Sequence, residues 1–217
     1  MRVLVACEYS GRVRDAFIAL GHDAMSCDLL PSDSPGPHYK GDISDIINDD
    51  WDLMIAHPPC TYLTIAAEWA YKDKQTKRIK EGTLIGAERK AAREEAIEFV
   101  MMLANAPIKR IAIENPIGVL SSRWRKPDQF IQPYEYGDDA SKRTCLWLKN
   151  LPPLVPTKQI EPRWVIDNTG KPQPRWGNQT DSGQNKEPPS KDRWKIRSTT
   201  WQGWANAMAN QWGDWTE

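Results

Sequence analysis

The chain has 217 residues with 29 basic and 29 acidic side chains, so its formal net charge is zero and bulk charge selects no partner. Its length suits one sizeable core, or one domain carrying a small appendage. No apolar run approaches the roughly 20 residues of a membrane span, and the N-terminus carries no signal-peptide apolar stretch, which leads us to expect a cytoplasmic protein with no membrane partner.

The distribution of residues says more than the totals. Residues 1–60 hold ten acids against four bases, whereas residues 151–197 hold nine bases against five acids. Between them Lys72, Lys74, Lys77, Arg78 and Lys80 crowd one short stretch. Positive charge gathered downstream fits a polyanion on one side, although such runs also serve as solvated faces. Four cysteines without C-x-x-C spacing and three histidines that stand alone suggest neither disulfides nor a metal site. Eight of the eleven tryptophans and eight of the seventeen prolines follow Cys145, so that end either packs around aromatic anchors or offers rings to bases.

In chain order, Val3-Leu4-Val5-Ala6 reads as a short buried strand. Cys7-Glu8-Tyr9-Ser10-Gly11 turns it into a helix whose apolar face is Val13, Ala16, Phe17 and Leu20, ended by Gly21. Ala24-Met25-Ser26-Cys27 is a second strand with Asp28 at its tip, where a β-turn-α-β unit places a carboxylate for a nucleoside ribose. After a turn-rich loop, Gly41-Asp42-Ile43 follows a short strand. Asp42 there either caps a helix over 44–48 or accepts a hydrogen bond from an adenine amine.

Leu53-Met54-Ile55-Ala56 reads as a strand buried on both faces that stops at His57-Pro58-Pro59-Cys60, because neither proline can donate a ladder hydrogen bond. Cys60 is thus presented at a strand's carboxyl end, the edge where ligands sit in open α/β sheets. Cys7, Cys27 and Cys145 read as packing. The polar, basic segment from Tyr62 to Gly86 suggests a mobile loop or loop-helix over the cysteine. A helix over 87–104 carries Ala92, Ala96, Phe99, Val100 and Leu103 on one stripe. The strand 109–113 is stopped by Glu114-Asn115-Pro116, which places Glu114 on the same edge as Cys60, and Cys145–Leu148 gives one more strand. Residues 152–196 read as an irregular insert pinned by Trp164, Trp176 and Trp194. A hydroxyl of Ser198-Thr199-Thr200 then caps a final helix with Trp201, Trp204, Ala205, Met208 and Trp212 along one face.

This order of pieces resembles the DNA cytosine-C5 methyltransferases, particularly small divergent members from bacteriophages and prophages. The resemblance covers roughly residues 1–150 and the last twenty, on Gly11, Asp28, Gly41-Asp42-Ile43, Pro58-Pro59-Cys60, Glu114-Asn115 and the closing helix. It implies an α/β, Rossmann-like S-adenosylmethionine-dependent methyltransferase fold with a small irregular Trp/Pro-rich insert. Residues 1–150 would be the catalytic core, 151–196 a DNA-contacting insert and 197–217 a helix packing back on the core. It further implies Cys60 as nucleophile on a flipped-out cytosine, Glu114 as the carboxyl on cytosine N3 and its exocyclic amine, and a weaker carry-over of Arg143. For the cofactor S-adenosylmethionine it implies Tyr9, Ser10 and Gly11 at the methionine end, Asp28 on the ribose and Asp42 at the adenine, with Pro58, Arg197 and Ser198 completing the set. The implied partner is DNA, bound by a monomer, without a metal.

The chain also departs from the family. Cys7, with Glu8 beside it, stands where the family has an acid; Thr61 replaces a glutamine and Pro116 a valine; and Ser141-Lys142-Arg143-Thr144 occupies the place of a Gln-x-Arg-x-Arg motif. Ile196-Arg197-Ser198 replaces a Gly-Asn-Ser run. A guanidinium beside a sulfonium cation is unfavourable unless an anion lies between them, so Arg197 suits a DNA phosphate, the cofactor's carboxylate, or a carboxylate on the transferred group, as in carboxy-S-adenosylmethionine. An enzyme of the same fold acting on RNA or a nucleotide, and a non-catalytic DNA-binding module, are the other readings.

Overall fold

The computed structural model describes residues 1–65, 67–73, 79, 81–190 and 193–214; of the basic stretch noted above, Lys74, Lys77, Arg78 and Lys80 lie outside them. The chain builds β1 (Arg2–Ala6), α1 (Arg12–Ala19), β2 (Asp23–Asp28), β3 (His38–Lys40), β4 (Leu53–Ala56), α2 (Gly86–Ala104), β5 (Arg110–Pro116) and α3 (Leu120–Arg123). Then come β6 (Gln129–Ile131), β7 (Thr144–Lys149), β8 (Arg163–Ile166), β9 (Pro172–Arg175), α4 (Arg193–Ser198) and α5 (Gln202–Trp212). Among the described residues seven strands form one sheet in the order β3-β2-β1-β4-β5-β7-β6, in which β3 through β5 run parallel and β7 runs antiparallel to both neighbours. The fold is α/β and Rossmann-like. The order reverses between β1 and β4, and the carboxyl ends of those two strands therefore flank the crevice where such sheets take their ligands.

The pleat divides the core into two layers. Leu4, Ala6, Met54, Ala56, Ile111 and Ile113 face α2, through Val100 and Leu103. Val3, Val5, Leu53, Ile55 and Ala112 face α1 and α5, through Phe17, Trp204, Met208 and Trp212. Helix α1 turns inward with Val13, Ala16 and Phe17, but Leu20 caps its end and is 46% exposed, so that residue does not belong to the apolar face. The turn after β3 is a single 3-10 turn, Ile43–Asp45, capped by Asp42, shorter than the helix over 44–48 considered from sequence.

Three further expectations change. Glu114-Asn115-Pro116 does not stop β5: parallel pairing with β4 ends at Ile113, but antiparallel pairing with β7 continues to Pro116 opposite Thr144, because only the β4 side of the strand has run out of partner. Ser198 ends α4 instead of capping α5; the first turn of α5 is capped across space, Gly203 N–H donating to Asp138 Oδ2 at 2.9 Å. Of the three tryptophans assigned to pin the insert, Trp194 does so in part, its ring tilted on Tyr9 at 6.2 Å between centroids, and Trp176 does so more fully. It stacks on Tyr134 at 4.1 Å between centroids and donates to Ile160 O, whereas Trp164 and Trp194 are 65% and 56% exposed.

Glutamine and asparagine side chains do the pinning that sequence periodicity could not show. Gln129 both donates to and accepts from the backbone of Leu154, each at 2.7 Å, and Gln211 of α5 does the same for Val155, each at 2.8 Å. Asn178 likewise clasps Ser141 through both its amide groups. Side-chain amides thus replace a ladder for backbone that prolines keep out of the sheet.

Replacing Asp138 by alanine should destabilise the fold by about 1 kcal/mol, the usual cost of losing a side-chain cap. Urea denaturation should show a lower midpoint with an unchanged slope.

Candidate active site

His57 N–H makes the last bond of β4, to Ala6 O at 2.9 Å, and the next two residues have no N–H to offer. The strand end is held from the side instead: Asn115, on β5, donates through Nδ2 to Pro58 O at 2.8 Å. Cys60 O then accepts from Leu63 N and Thr64 N, closing a turn that leaves the thiol half-buried at the sheet edge. The chain beyond is tied down over its described part. Thr61 O and Tyr62 O accept from Arg89 and Arg93 of α2, and Leu63 O accepts from Val119 N.

Glu114 lies on the α1/α5 side of β5, one residue past its register with β4, and His57 occupies the matching place beyond β4. Their side chains, 12% and 8% exposed, meet with His57 Nδ1 3.0 Å from Glu114 Oε2. The histidine that sequence left standing alone is therefore a partner of the candidate acid. The signal for it was positional: His57 and Glu114 each follow an apolar strand in equivalent places. His57 Nε2, Glu114 Oε1 and Asn115 Oδ1 are buried and have no hydrogen-bond partner among the described residues. Native interiors leave few such atoms.

Electrostatics at this edge pull in opposite directions. Burial would push the Glu114 carboxyl up, but the His57 hydrogen bond and the charges of Lys142 and His57 together hold it below the usual carboxylate range. Burial, then the Glu114 charge, push the Cys60 thiol above its ordinary value, against the opposing pull of Lys142, its own backbone and Arg197. Lys142 and Arg197 also line a cavity of about 240 Å³ between the core and the insert, with Asn178, Gln179, Thr199 and Trp201 among its walls. Lys142 is the cation that sequence reasoning missed. Arg143, its neighbour, points elsewhere and covers the exposed ring of Phe130 at 4.1 Å, because adjacent residues entering β7 face opposite sides.

A second cleft, about 130 Å³, opens at the carboxyl ends of β1 and β2 and is mostly apolar. Cys7, Cys27, Asp28, Leu29, Gly41, Asp42, Ile43, Pro59 and Phe99 line it, so the predicted pair Asp28 and Asp42 share one cleft, but Pro59 takes the wall position expected of Pro58. Burial raises Asp28, while Asp42 is held low by Ser44, whose N–H and hydroxyl both bond Oδ1. Asp42 is thus both cap and cleft wall. Cys27 and Cys145 are buried, as packing residues should be, and Cys7 takes a left-handed turn, φ 58°, at the cleft.

Tyr9, Ser10 and Gly11 are otherwise engaged. Glu8 accepts from Val13 N, Arg14 N and the Ser10 hydroxyl, capping α1. Gly11, φ 75°, leaves room for the buried Arg14 guanidinium, which a Cβ would meet at 2.5 Å. Tyr9 donates to Lys195 O and lies 3.0 Å from Ser198 Oγ, which joins the first turn to the end of α4. Tyr9 and Ser198 are therefore brought together, one strand away from His57.

No protein-family model and no curated protein matches the chain. Among solved structures it is similar to a mutant of Spodoptera frugiperda DNMT2, with TM-score 0.37 and 16% sequence identity over 73% of this chain and 53% of that one. The chain spans about half the length of that protein. No helix among the described residues is long and apolar enough to cross a membrane.

The two opposing influences on Cys60 can be read separately. Alkylation of Cys60, followed by peptide mass across a pH series, should report a thiol titrating above the ordinary cysteine range. Glu114→Gln should move that titration down, since a neighbouring carboxylate opposes the thiolate, and Lys142→Ala should move it up.

Proposed function

We propose that the protein is an S-adenosylmethionine-dependent cytosine-C5 methyltransferase acting on DNA. One observation carries the reading: a strand-end thiol stands within electrostatic reach of a buried carboxylate that has one oxygen without a partner among the described residues. Cytosine C5 is a weak nucleophile, and a thiolate adding at C6 makes it a strong one. In this reading the Sγ–C6 bond forms and the C5=C6 pair moves to C5, which takes the methyl group. The sulfonium's bond to that methyl would break, leaving S-adenosylhomocysteine, and loss of the C5 proton to solvent water with breakage of Sγ–C6 would then restore the double bond and free Cys60. Glu114 Oε1 would accept from the exocyclic amine and so orient the base against Cys60. Lys142 and Arg197 favour the thiolate that must form.

The cleft between β1 and β2 suits the adenosine half of S-adenosylmethionine, since its apolar walls can take a purine and its two carboxylates can accept from ribose hydroxyls and an adenine amine. When bound, the cofactor supplies the methyl group. Because Glu8 and Ser10 are committed to α1 and the Tyr9 hydroxyl to the end of α4, backbone groups of the turn are left to meet its methionine end. Arg197 on the cavity wall serves a phosphate of the polynucleotide; the alternative, a carboxylate on the transferred group, predicts a carboxymethylated base when carboxy-S-adenosylmethionine is the donor. A base inside a duplex is out of reach of Cys60, so DNA would have to flip its target, with the 151–196 insert providing contacts.

Incubation with S-adenosylmethionine and duplex DNA should yield 5-methyldeoxycytidine by nucleoside mass, and DNA containing 5-fluorocytosine should form a covalent adduct. Cys60→Ser should lose the adduct and reduce turnover by about a thousandfold or more. Adducts on RNA alone would move the substrate to RNA; binding without any adduct would leave a DNA-binding module.

A further inference from the structure

We propose that His57 is a positioning residue for this transfer: it locks Glu114 through Oε2 and leaves Oε1 as a hydrogen-bond acceptor that selects a base carrying an exocyclic amine. The proposal rests on the reading of Cys60 and Glu114 given above and adds a residue that none of the sequence motifs contains. An ionised carboxylate only accepts, so the 3.0 Å contact assigns the ring proton to Nδ1. With Oε2 occupied, the carboxylate cannot rotate freely, and Oε1 is the oxygen left facing a partner it does not have among the described residues. Leaving a buried polar atom without a bond costs about 1–3 kcal/mol, and of the buried atoms in that condition among the described residues Glu114 Oε1 is the one whose open acceptor position belongs to a group electrostatically coupled to Cys60. A base edge with an amine fills it. The O4 of uracil or thymine would set two acceptors against each other.

The titratable groups coupled to Glu114 besides His57 are Lys142, which supports its ionised form, and the thiols of Cys60 and, on β7, Cys145, both of which its charge pushes up; Arg197 acts on Cys60. Without His57, burial would act on Glu114 against Lys142 alone. The carboxyl would then keep its proton to higher pH, and a protonated Oε1 could donate to O4 as readily as an ionised one accepts from an amine. Discrimination between cytosine and uracil therefore reports the charge on Glu114. Because thiolate formation at Cys60 is common to both bases, it cancels from their ratio.

The test compares adduct formation on two duplexes that differ only in 5-fluorocytosine or 5-fluorouracil at the target, over a pH series. The wild-type chain should trap 5-fluorocytosine selectively down to acidic pH. His57→Leu should lose that selectivity at an acidic pH where the wild-type chain still keeps it, each unit by which the carboxyl's titration moves up being worth about tenfold in the ionised fraction below it, and should regain it as pH rises. His57→Asn places an amide N–H where Nδ1 stands and should keep the selectivity. A uniform loss of trapping in His57→Leu with selectivity unchanged at every pH would overturn the proposal, as would loss of selectivity in a folded His57→Asn. If wild-type protein forms no adduct with either base, the transfer reading fails and takes this one with it; an unselective wild-type adduct overturns only the role given to His57.

Discussion

The bond from Asn115 Nδ2 to Pro58 O is the constraint on which the site depends. Two successive prolines free the end of β4 from the sheet, since neither can continue a ladder, and left alone that end would have no fixed direction. One side-chain amide on the adjacent strand restores it. Cys60, two residues on, inherits its position from that bond, and the turn closed by Leu63 N and Thr64 N keeps it there. Asn115 lies on the α2 side of β5 and Glu114 on the other, so consecutive residues serve the turn and the chemistry from opposite faces of one strand.

At the thiol, shape and charge are in conflict. Burial disfavours the thiolate, and the neighbouring carboxylate adds to the difficulty. Two cations from separate parts of the chain, Lys142 before β7 and Arg197 in α4, act against this. Placing them on the wall of a cavity between core and insert means that whatever enters the cavity alters their hydration and hence the balance at Cys60. The charge at that wall and the thiol at the edge are thereby linked.

Much of the fold was legible in the sequence, because buried parallel strands announce themselves as apolar runs ended by glycine, proline or acid. The runs 3–6, 53–56 and 109–113 led directly to β1, β4 and β5 and to the shared edge of Cys60 and Glu114. What stayed hidden was held by single polar side chains at long range. Asp138 caps α5 from sixty-five residues away, and Gln129 and Gln211 anchor a proline-rich stretch with no periodicity of its own. His57 escaped notice because a histidine has no pattern until its neighbour across the sheet is known. Lys142 was passed over for Arg143 because strand parity, which separates them, depends on where β7 begins.

Both margins of the stretch between β7 and α5 converge on one helix. Val155 is fastened to Gln211 and Pro152 to Trp212, while α5 itself is buried against α1. Everything between those fastenings is an excursion whose feet are already joined, and closing a longer loop costs only about 0.6 kcal/mol per doubling of its length. Its β8–β9 hairpin can accordingly change in length at little entropic cost while the sheet beneath keeps its geometry. A scaffold of this kind separates the length of its excursion from the geometry of its sheet.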